Sequence, residues 1–536
     1  MTGRTESPDG GGWASTTARA YGQGVTPRWS VEYQQPDRPP DLPIPPGPVS
    51  NGEFLPREPN RRDHDLYQAT LSVAEQSARH AGMDRRRFLQ TAGGVAATLA
   101  VFNLAACSSG ANHAARGRSP GGTFRVPAPS DVAACEHALA TPDGFVFDVH
   151  THHVIPNDPW RDNAPETVQL VLGMLPPDCM AADKLECVNR ANYLHDIFLA
   201  SDTTVALLSD VPNSGPQDAP IPFSEAISTQ SQVAQLAPSG APRMLLHNVI
   251  APNFGDLNAR LADMATQAAT GHVAGFKVYT AWGPNGQGFS LEDPHLGLPV
   301  IQQAHDTGVK VFTAHKGLPL MRFDAAHNGP DDIVAVSRQF PDMNFVVFHG
   351  AWDPNHREGP YDPTAAFGID TFLHALDVHQ VPPNANVWVD LGTVWRQLLS
   401  DPDQAAHAVG KLLTRVGDQR VLWGTDAVWY GSPQPQLMAF RAFEITAEYQ
   451  ERFGYPALTD TVKGNVLGLN AAQLFHVDPT ATRCALATDP LTTAQAQAAE
   501  LRADGALPSP WKPRGPTTRR ELLRWLRAPT TRWTPT

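Results

Sequence analysis

The strongest constraint on this chain is a series of eight short apolar runs separated by helix-length segments, several of the runs closed by a histidine or a carboxylate. The runs fall near 145–150, 203–209, 243–249, 273–279, 309–314, 343–348, 386–391 and 420–424. Helical patterns lie between them, at 183–199, 222–236, 256–270, 297–307, 364–377 and 403–415. Alternating strand and helix units of this number predict an α/β fold, a (β/α)8 TIM barrel. Such barrels carry their chemistry at the C-terminal ends of the strands. The first run reads Phe145-Val146-Phe147-Asp148-Val149-His150-Thr151-His152-His153. Side chains alternate along a strand, so Asp148, His150 and His152 share one face. Two imidazoles so placed can hold one metal ion. Ala314-His315, Phe348-His349 and Gly424-Thr425-Asp426 close later runs. Four histidines and a carboxylate at strand ends make a hydrolytic metal site the leading reading.

Outside residues 144–478, the expected barrel, the composition changes. Residues 1–60 are rich in Pro, Gly and polar side chains, and 1–82 is read as a disordered N-terminal extension, with a short amphipathic helix at 64–82. Residues 83–107 read as an export leader. Asp84-Arg85-Arg86-Arg87-Phe88-Leu89 resembles a twin-arginine signal, and Leu104-Ala105-Ala106-Cys107 resembles a lipoprotein cleavage box. Arg85 and Arg86 would direct export, and Cys107 would carry a lipid, making the protein an exported, cell-envelope lipoprotein held at the membrane by that anchor. Met83 precedes the motif, so translation from Met83 or from Met1 are both open. Residues 108–143 read as a tether. Residues 479–536 read as a Pro-rich tail ending in a short basic helix near 518–527. Cys135, Cys179, Cys187 and Cys484 remain for disulfides, with three connectivities open.

The formal net charge of −13 argues against nucleic acid as a partner. No run of about 18 apolar residues reads as an ordinary transmembrane helix. A small-molecule substrate is the expected partner, and a homo-oligomer is compatible with the sequence.

The motif Asp148-Val149-His150-Thr151-His152, followed in order by His315, His349 and Asp426, resembles the metal constellation of the amidohydrolase superfamily. The segment from Gly464 to Phe475 resembles the closing helix of its amidohydrolase-related branch, which holds hydrolases beside aminocarboxymuconate-semialdehyde decarboxylase-like enzymes. The resemblance implies a divalent metal, with zinc the expected ion and one ion favoured over two, on His150, His152, His315 and Asp426. It implies catalytic roles for His349, facing water or substrate, and for Asp426, accepting a proton. Lys277, at the fourth run, resembles the lysine whose carbamate bridges two metals in binuclear members; its other role would be substrate contact.

The remaining candidates are read more plainly. His153 and His247 are expected to be structural, and Asp148 to accept a hydrogen bond from a ligand histidine. Lys316, Asp210 and Asn213 could line the mouth. Trp282, Trp352, Trp395 and Trp429 could wall a pocket or pack loops. Arg357 and Arg396 are candidate carboxylate clamps. The function expected is a metal-dependent hydrolase acting on a C–N or C–O bond of a small organic substrate. A metal-dependent non-oxidative decarboxylase on the same scaffold is the alternative, and a non-catalytic ligand-binding lipoprotein is the alternative of another class. A serine hydrolase is disfavoured, since no GxSxG element stands at a strand–helix turn.

Overall fold

A computed structural model describes residues 41–109, 120–140, 144–163, 183–238, 240–318, 323–486, 489–503, 506–507, 511 and 518–520. The first strand in chain order, β1 (Gly122–Phe124), pairs antiparallel with the last, β10 (Phe443–Ile445). Between them run β2 (Phe147–Thr151), β3 (Val205–Leu208), β4 (Met244–Ile250), β5 (Val273–Val278), β6 (Val311–His315), β7 (Asn344–Phe348), β8 (Val387–Asp390) and β9 (Val421–Leu422). These eight strands form one parallel sheet in sequential order. The last loop closes it onto the first strand: Val149 N donates to Trp423 O at 3.0 Å, and Asp426 N donates to His150 O at 2.8 Å. The expected (β/α)8 barrel is present, and each expected apolar run supplies one strand.

The strands are buried on both faces, as a parallel barrel wrapped by helices requires. The helices start where local chemistry lets them. Pro402–Arg415 has Pro402 in its first turn and Asp401 as its cap, the Asp401 side chain accepting from Gln404 N. At the bottom of the barrel, Asn470–Leu474 packs Ala471 and Leu474 against Phe147, Val149 and Leu422. A Cβ on Gly468 would sit 2.7 Å from the Phe145 ring, so only glycine allows this closure.

The largest departure from expectation lies before the barrel. Of the extension expected to be disordered, residues 41–82 are folded onto the barrel. Leu42, Ile44, Val49 and Phe54 are buried. Helix α1 (Arg61–His80) begins on a reciprocal cap in which the Asn60 and Asp63 side chains satisfy each other's backbone N–H groups. A composition poor in apolar residues predicts disorder only when no neighbour supplies a surface. Here the barrel supplies one.

The segment read as a leader is likewise built into the core. Arg85 and Arg86 lie in the short helix α2 (Arg85–Phe88), capped by Asp84, and Arg85 Nη1 stands 3.5 Å from Glu75 of α1. Helix α3 (Ala92–Ser109) buries Val95, Ala96, Ala97, Thr98, Leu99 and Phe102 completely. A Cβ on Gly93 would meet Pro129 O at 2.6 Å, so the glycine here serves close packing. Cys107 is exposed near the end of α3. No helix among the described residues is long and apolar enough to cross a membrane. The expected tether also contains structure: β1 lies in it, and a helix over Val132–Leu139 buries Cys135 and Leu139.

In the tail, helices Pro479–Leu486 and Pro490–Ala503 follow the barrel, and Asp489 forms a buried ion pair with Arg243 at 2.5 Å. Most of the expected basic helix lies outside the described residues. Cys187 is disulfide-bonded, and Cys107, Cys135 and Cys484 are free.

Candidate metal centre

The C-terminal ends of the strands bring the candidate residues to one place. His150 comes from β2 and His152 follows it directly, Lys277 comes from β5 and His315 from the end of β6. His349 follows β7 directly, and Asp426 follows β9. His150, His152 and Asp426 offer ligand atoms within 4.8 Å of one another, and so do Glu53, His315 and His349. Asp426 Oδ1 lies 3.6 Å from His150 Nε2 and 3.5 Å from His152 Nε2. The rings of His150 and His349 are 4.9 Å apart, those of His315 and His349 4.7 Å.

The outer ring nitrogens fix how these histidines face. His150 Nδ1 is 2.8 Å from Asp390 Oδ2, His152 Nδ1 is 2.8 Å from Ser209 O, and His349 Nδ1 is 2.9 Å from Gly392 O. Each partner is an acceptor, so each Nδ1 carries the proton and each Nε2 turns a lone pair inward. Burial holds all three imidazoles neutral, with help from the nearby Lys277 ammonium; His349 is pushed down to about 3. Among the described residues the buried Nδ1 of His315 lacks a hydrogen-bond partner, and its Nε2 faces the Glu53 carboxylate at 3.0 Å. Converging lone pairs beside carboxylates make a donor set that fits a divalent cation, and the acceptors behind the rings are the usual supports of metal-bound histidines.

The support under His150 differs from expectation. Asp148 accepts from His150 N and Thr425 N, each at 3.1 Å, and so organises backbone rather than a ring. The carboxylate behind the His150 ring is Asp390, which also accepts from His349 N at 2.7 Å. Burial raises Asp390 to about 7. A Cβ on Gly392 would fall 2.5 Å from both His150 Nδ1 and Asp390 Oδ2, so this contact demands glycine. Sequence reasoning missed Asp390, although it closes the seventh apolar run as Asp426 closes the eighth.

Three residues at the centre take left-handed backbone angles: His349 at φ 64°, Thr393 at φ 61° and Asp426 at φ 59°. Each costs on the order of 1–3 kcal/mol and persists only where the surroundings fix it. Thr393 shows how: its hydroxyl donates to Asp426 Oδ2 at 2.6 Å. Burial drives the Asp426 carboxyl well above its ordinary value, and the nearby Glu53 charge adds to the rise. A bound cation would reverse that.

Lys277 is fully buried, and its Nζ has no hydrogen-bond partner. It lies 4.7 Å from the Tyr279 ring centre and 4.5 Å from that of Phe348. Burial lowers it to about 8, against the pull of Asp426 and Glu53. His247 is structural, as expected, bonded to Ser209 Oγ at 2.7 Å and Thr313 Oγ1 at 3.2 Å. His153 is too, with Thr229 Oγ1 3.1 Å from its Nε2. Lys316 pairs with Asp332 at 2.6 Å. The two arginines considered as carboxylate clamps both meet groups of the protein itself. Arg357 binds Asp401 at 2.7 Å, and Arg396 Nη2 donates to Pro45 O at 3.4 Å. Trp429 stacks 6.0 Å from His152, Trp282 donates to Asn213 O at 3.0 Å, and Trp395 donates to Gln436 O at 3.0 Å.

Two residues at the centre come from the folded N-terminal arm and were not expected at all. Glu53 Oε1 lies 3.0 Å from His315 Nε2, and Asn51 Nδ2 donates to Asp426 Oδ2 at 2.6 Å. No strand-end signal marks either one.

The amidohydrolase family model matches residues 147–477. No curated protein matches the chain. Among solved structures, the chain is similar to 5-carboxyvanillate decarboxylase from Novosphingobium aromaticivorans DSM 12444, complexed with manganese and 4-hydroxy-3-methoxy-5-nitrobenzoic acid. Identity is 14% and the TM-score 0.42, over 63% of this chain and 98% of that one. It is similar to 2,6-dihydroxybenzoate decarboxylase from Rhizobium, at 12% identity and TM-score 0.34 over 62% and 98% of the two chains. It is also similar to an amidohydrolase from Mycobacterium avium subsp. paratuberculosis K-10, at 14% identity and TM-score 0.34 over 62% and 98%.

Proposed function

The chain belongs to the amidohydrolase family, and on that footing we propose that it is a hydrolase in which water attacks a C–N or C–O bond of a small organic substrate at the metal centre. One observation carries the reading. Asp426 presents Oδ1 toward both His150 Nε2 and His152 Nε2, while Thr393 and Asn51 hold its Oδ2. A carboxylate fixed in that way can ligate an ion and stand beside the attacking water as its proton acceptor.

His150, His152, His315 and Asp426 would hold a divalent ion, with zinc the proposed ion and one the proposed number, and when bound it would supply the Lewis acidity that makes water a nucleophile near neutral pH. The protein's own groups do the rest. Asp426 takes the proton of the attacking water. That proton passes from Asp426 by way of His349, whose Nε2 faces inward, to the leaving group. Asp390 holds the His150 ring and the His349 backbone in one arrangement. The Lys277 amine, without a hydrogen-bond partner among the described residues, is proposed to contact the substrate or to carry a bridging carbamate.

Decarboxylation is the second reading, favoured by one feature: the centre is buried and aromatic. Tyr279 and Phe323 lie 5.2 and 5.4 Å from the His315 ring. A carboxylate deprived of water there is raised in energy relative to neutral CO₂. Turnover of a substrate panel in ¹⁸O-labelled water, with CO₂ trapping, separates the two. Label in the product supports hydrolysis, and CO₂ release without label supports decarboxylation. In either reaction His349→Ala should keep most of the metal and lose activity by about 10²–10⁴. Full activity in that variant would refute the role of His349.

Export is also proposed, on the twin-arginine pattern, and a lipid on Cys107 on the lipobox pattern of residues 84–107; a lipid added with cleavage ahead of Cys107 and Glu53 as a metal ligand are alternatives, since that cleavage removes Glu53. Cell fractionation tests it.

A further inference from the structure

The arm that precedes the barrel does more than pack on it. Val49 is clipped in both directions to Gln397: its N–H donates to Oε1 at 3.2 Å, and its carbonyl accepts from Nε2 at 2.6 Å. Phe54 meets Trp352 edge-on at 6.2 Å. Between these anchors the chain turns into the mouth of the barrel. Gly52 permits the turn with φ 93°, and Ser50 Oγ ties it by donating to Phe54 O at 2.6 Å. Asn51 organises the result. Its side-chain oxygen accepts from Glu53 N at 3.0 Å, and its Nδ2 donates to Glu53 Oε2 at 2.7 Å and to Asp426 Oδ2 at 2.6 Å.

We propose that this strap is a permanent part of the metal centre: Glu53 is a metal ligand beside His315, its second oxygen faces His349, and Asn51 is the positioning residue that sets Glu53 and Asp426 against each other. Glu53 Oε1 stands 3.0 Å from His315 Nε2, and Oε2 stands 3.8 Å from His349 Nε2. Two ligand atoms on one divalent ion, each at about 2.0–2.2 Å, lie about 3–3.5 Å apart. The Glu53–His315 distance falls in that range, and the longer contact leaves His349 beside the ion as the proton carrier.

The environment argues for a cation as well. The Glu53 side chain is only 6% exposed, and among the described residues no lysine or arginine pairs with it. His349 Nδ1 faces Gly392 O, so the nitrogen facing Glu53 Oε2 is the lone-pair side of the ring. A carboxylate buried against imidazole lone pairs is unfavourable unless a proton or a metal lies between them. A mere plug would have no reason to orient both oxygens at ring nitrogens while sharing a donor with Asp426.

Glu53 lies outside the family match, which begins at residue 147. The centre is therefore completed by a segment that the barrel alone does not contain. The inference rests on the reading of the barrel mouth as a metal centre, and it is independent of whether the reaction is hydrolysis or decarboxylation.

The test is metal binding by the full chain. Zn²⁺ and Mn²⁺ are titrated by calorimetry into metal-stripped wild type, Glu53→Gln, Asn51→Ala and Gln397→Ala, and metal content is measured after purification. Glu53→Gln should weaken affinity by at least about 10-fold or remove an ion from the stoichiometry, as loss of a ligand or its support does. Asn51→Ala should weaken it less. Gln397→Ala leaves Glu53 intact and only loosens the clip, so it keeps the test informative if Glu53→Gln folds poorly; it should weaken affinity by a smaller factor still. Wild-type affinity and stoichiometry in folded Glu53→Gln would overturn the proposal, as would a gain in turnover at unchanged metal content, the mark of a plug. If wild type itself bound no metal, the reading of the centre would fail, a different outcome from wild-type metal binding in the variant.

Discussion

The barrel and the arm in front of it, residues 41–109, meet at one site but reached it by different routes. The barrel's contributions, His150, His152, His315, His349 and Asp426, sit at strand ends that the parallel sheet brings together whatever the loops do. The arm's contributions, Asn51 and Glu53, are placed by a short strap whose position depends on a side chain 348 residues away. A site half built on a rigid scaffold and half on a clipped segment divides the work: the barrel positions its side chains by strand order, and the strap adds a carboxylate held by its clip to Gln397. In the structure the two are closed on each other, with His150, His315 and His349 each 1% exposed.

The comparison is broken most severely from the barrel side. Replacing His150 and His152 together with Ala removes two neighbouring ligands on one strand and should abolish metal binding, whatever the arm does. Elemental analysis of the purified double variant checks this. Metal retained at the wild-type level would mean that the strap and the Glu53, His315, His349 group hold the ion on their own, and that the roles given to the two regions are reversed.

From the arm side the effect is smaller but still large. Leu99 is fully buried in α3, among residues that belong to the same core cluster as the barrel helices. Leu99→Ala should destabilise the whole protein by about 2–5 kcal/mol, the range for a buried leucine truncated in a packed core. Thermal melting followed by a signal from the barrel, such as tryptophan fluorescence, reads it. A barrel transition unmoved by the substitution would show that the arm folds as a separate unit.

The difference between the regions also explains what the sequence made legible. Period-two apolar runs with a polar residue at the end report strands, and strand order then fixes which ends converge. His315 and Asp426 could be read in that way. Asp390 carried the same signal at the end of the seventh run, but it gained meaning only when its oxygen proved to lie behind His150. Asn51 and Glu53 carry no periodic signal. Asn51 touches Asp426 across 375 positions of sequence, and its surroundings, Pro-rich and polar, read as disorder because composition describes a segment without its neighbours. The Ala- and Gly-rich stretch at 92–106 misled for a related reason. Small residues suit a leader, and they equally suit a helix that must approach other backbones closely, as Gly93 does at Pro129.

The smallest expected effect on the fold is also the sharpest separation of the two readings of the arm. Arg85 is partly exposed and stands 3.5 Å from Glu75, and Arg86 lies beside it on the same short helix. Changing both to Lys preserves charge and disturbs only surface pairing, which is worth about 0–1 kcal/mol. Stability and metal content should therefore stay at wild-type values. Export, where it depends on the twin-arginine pattern, should stop, because Lys lacks the planar guanidinium that such recognition uses. Fractionation of cells expressing the variant gives the answer. An unchanged distribution would refute the export proposal and leave residues 84–107 as core alone. A block in export combined with a mature chain that still begins before residue 51, read by intact mass, would mean that the arm is recognised as a signal and then retained. That is the only form of export in which Glu53 stays at the metal centre, since cleavage ahead of Cys107 would carry Glu53 away with the leader.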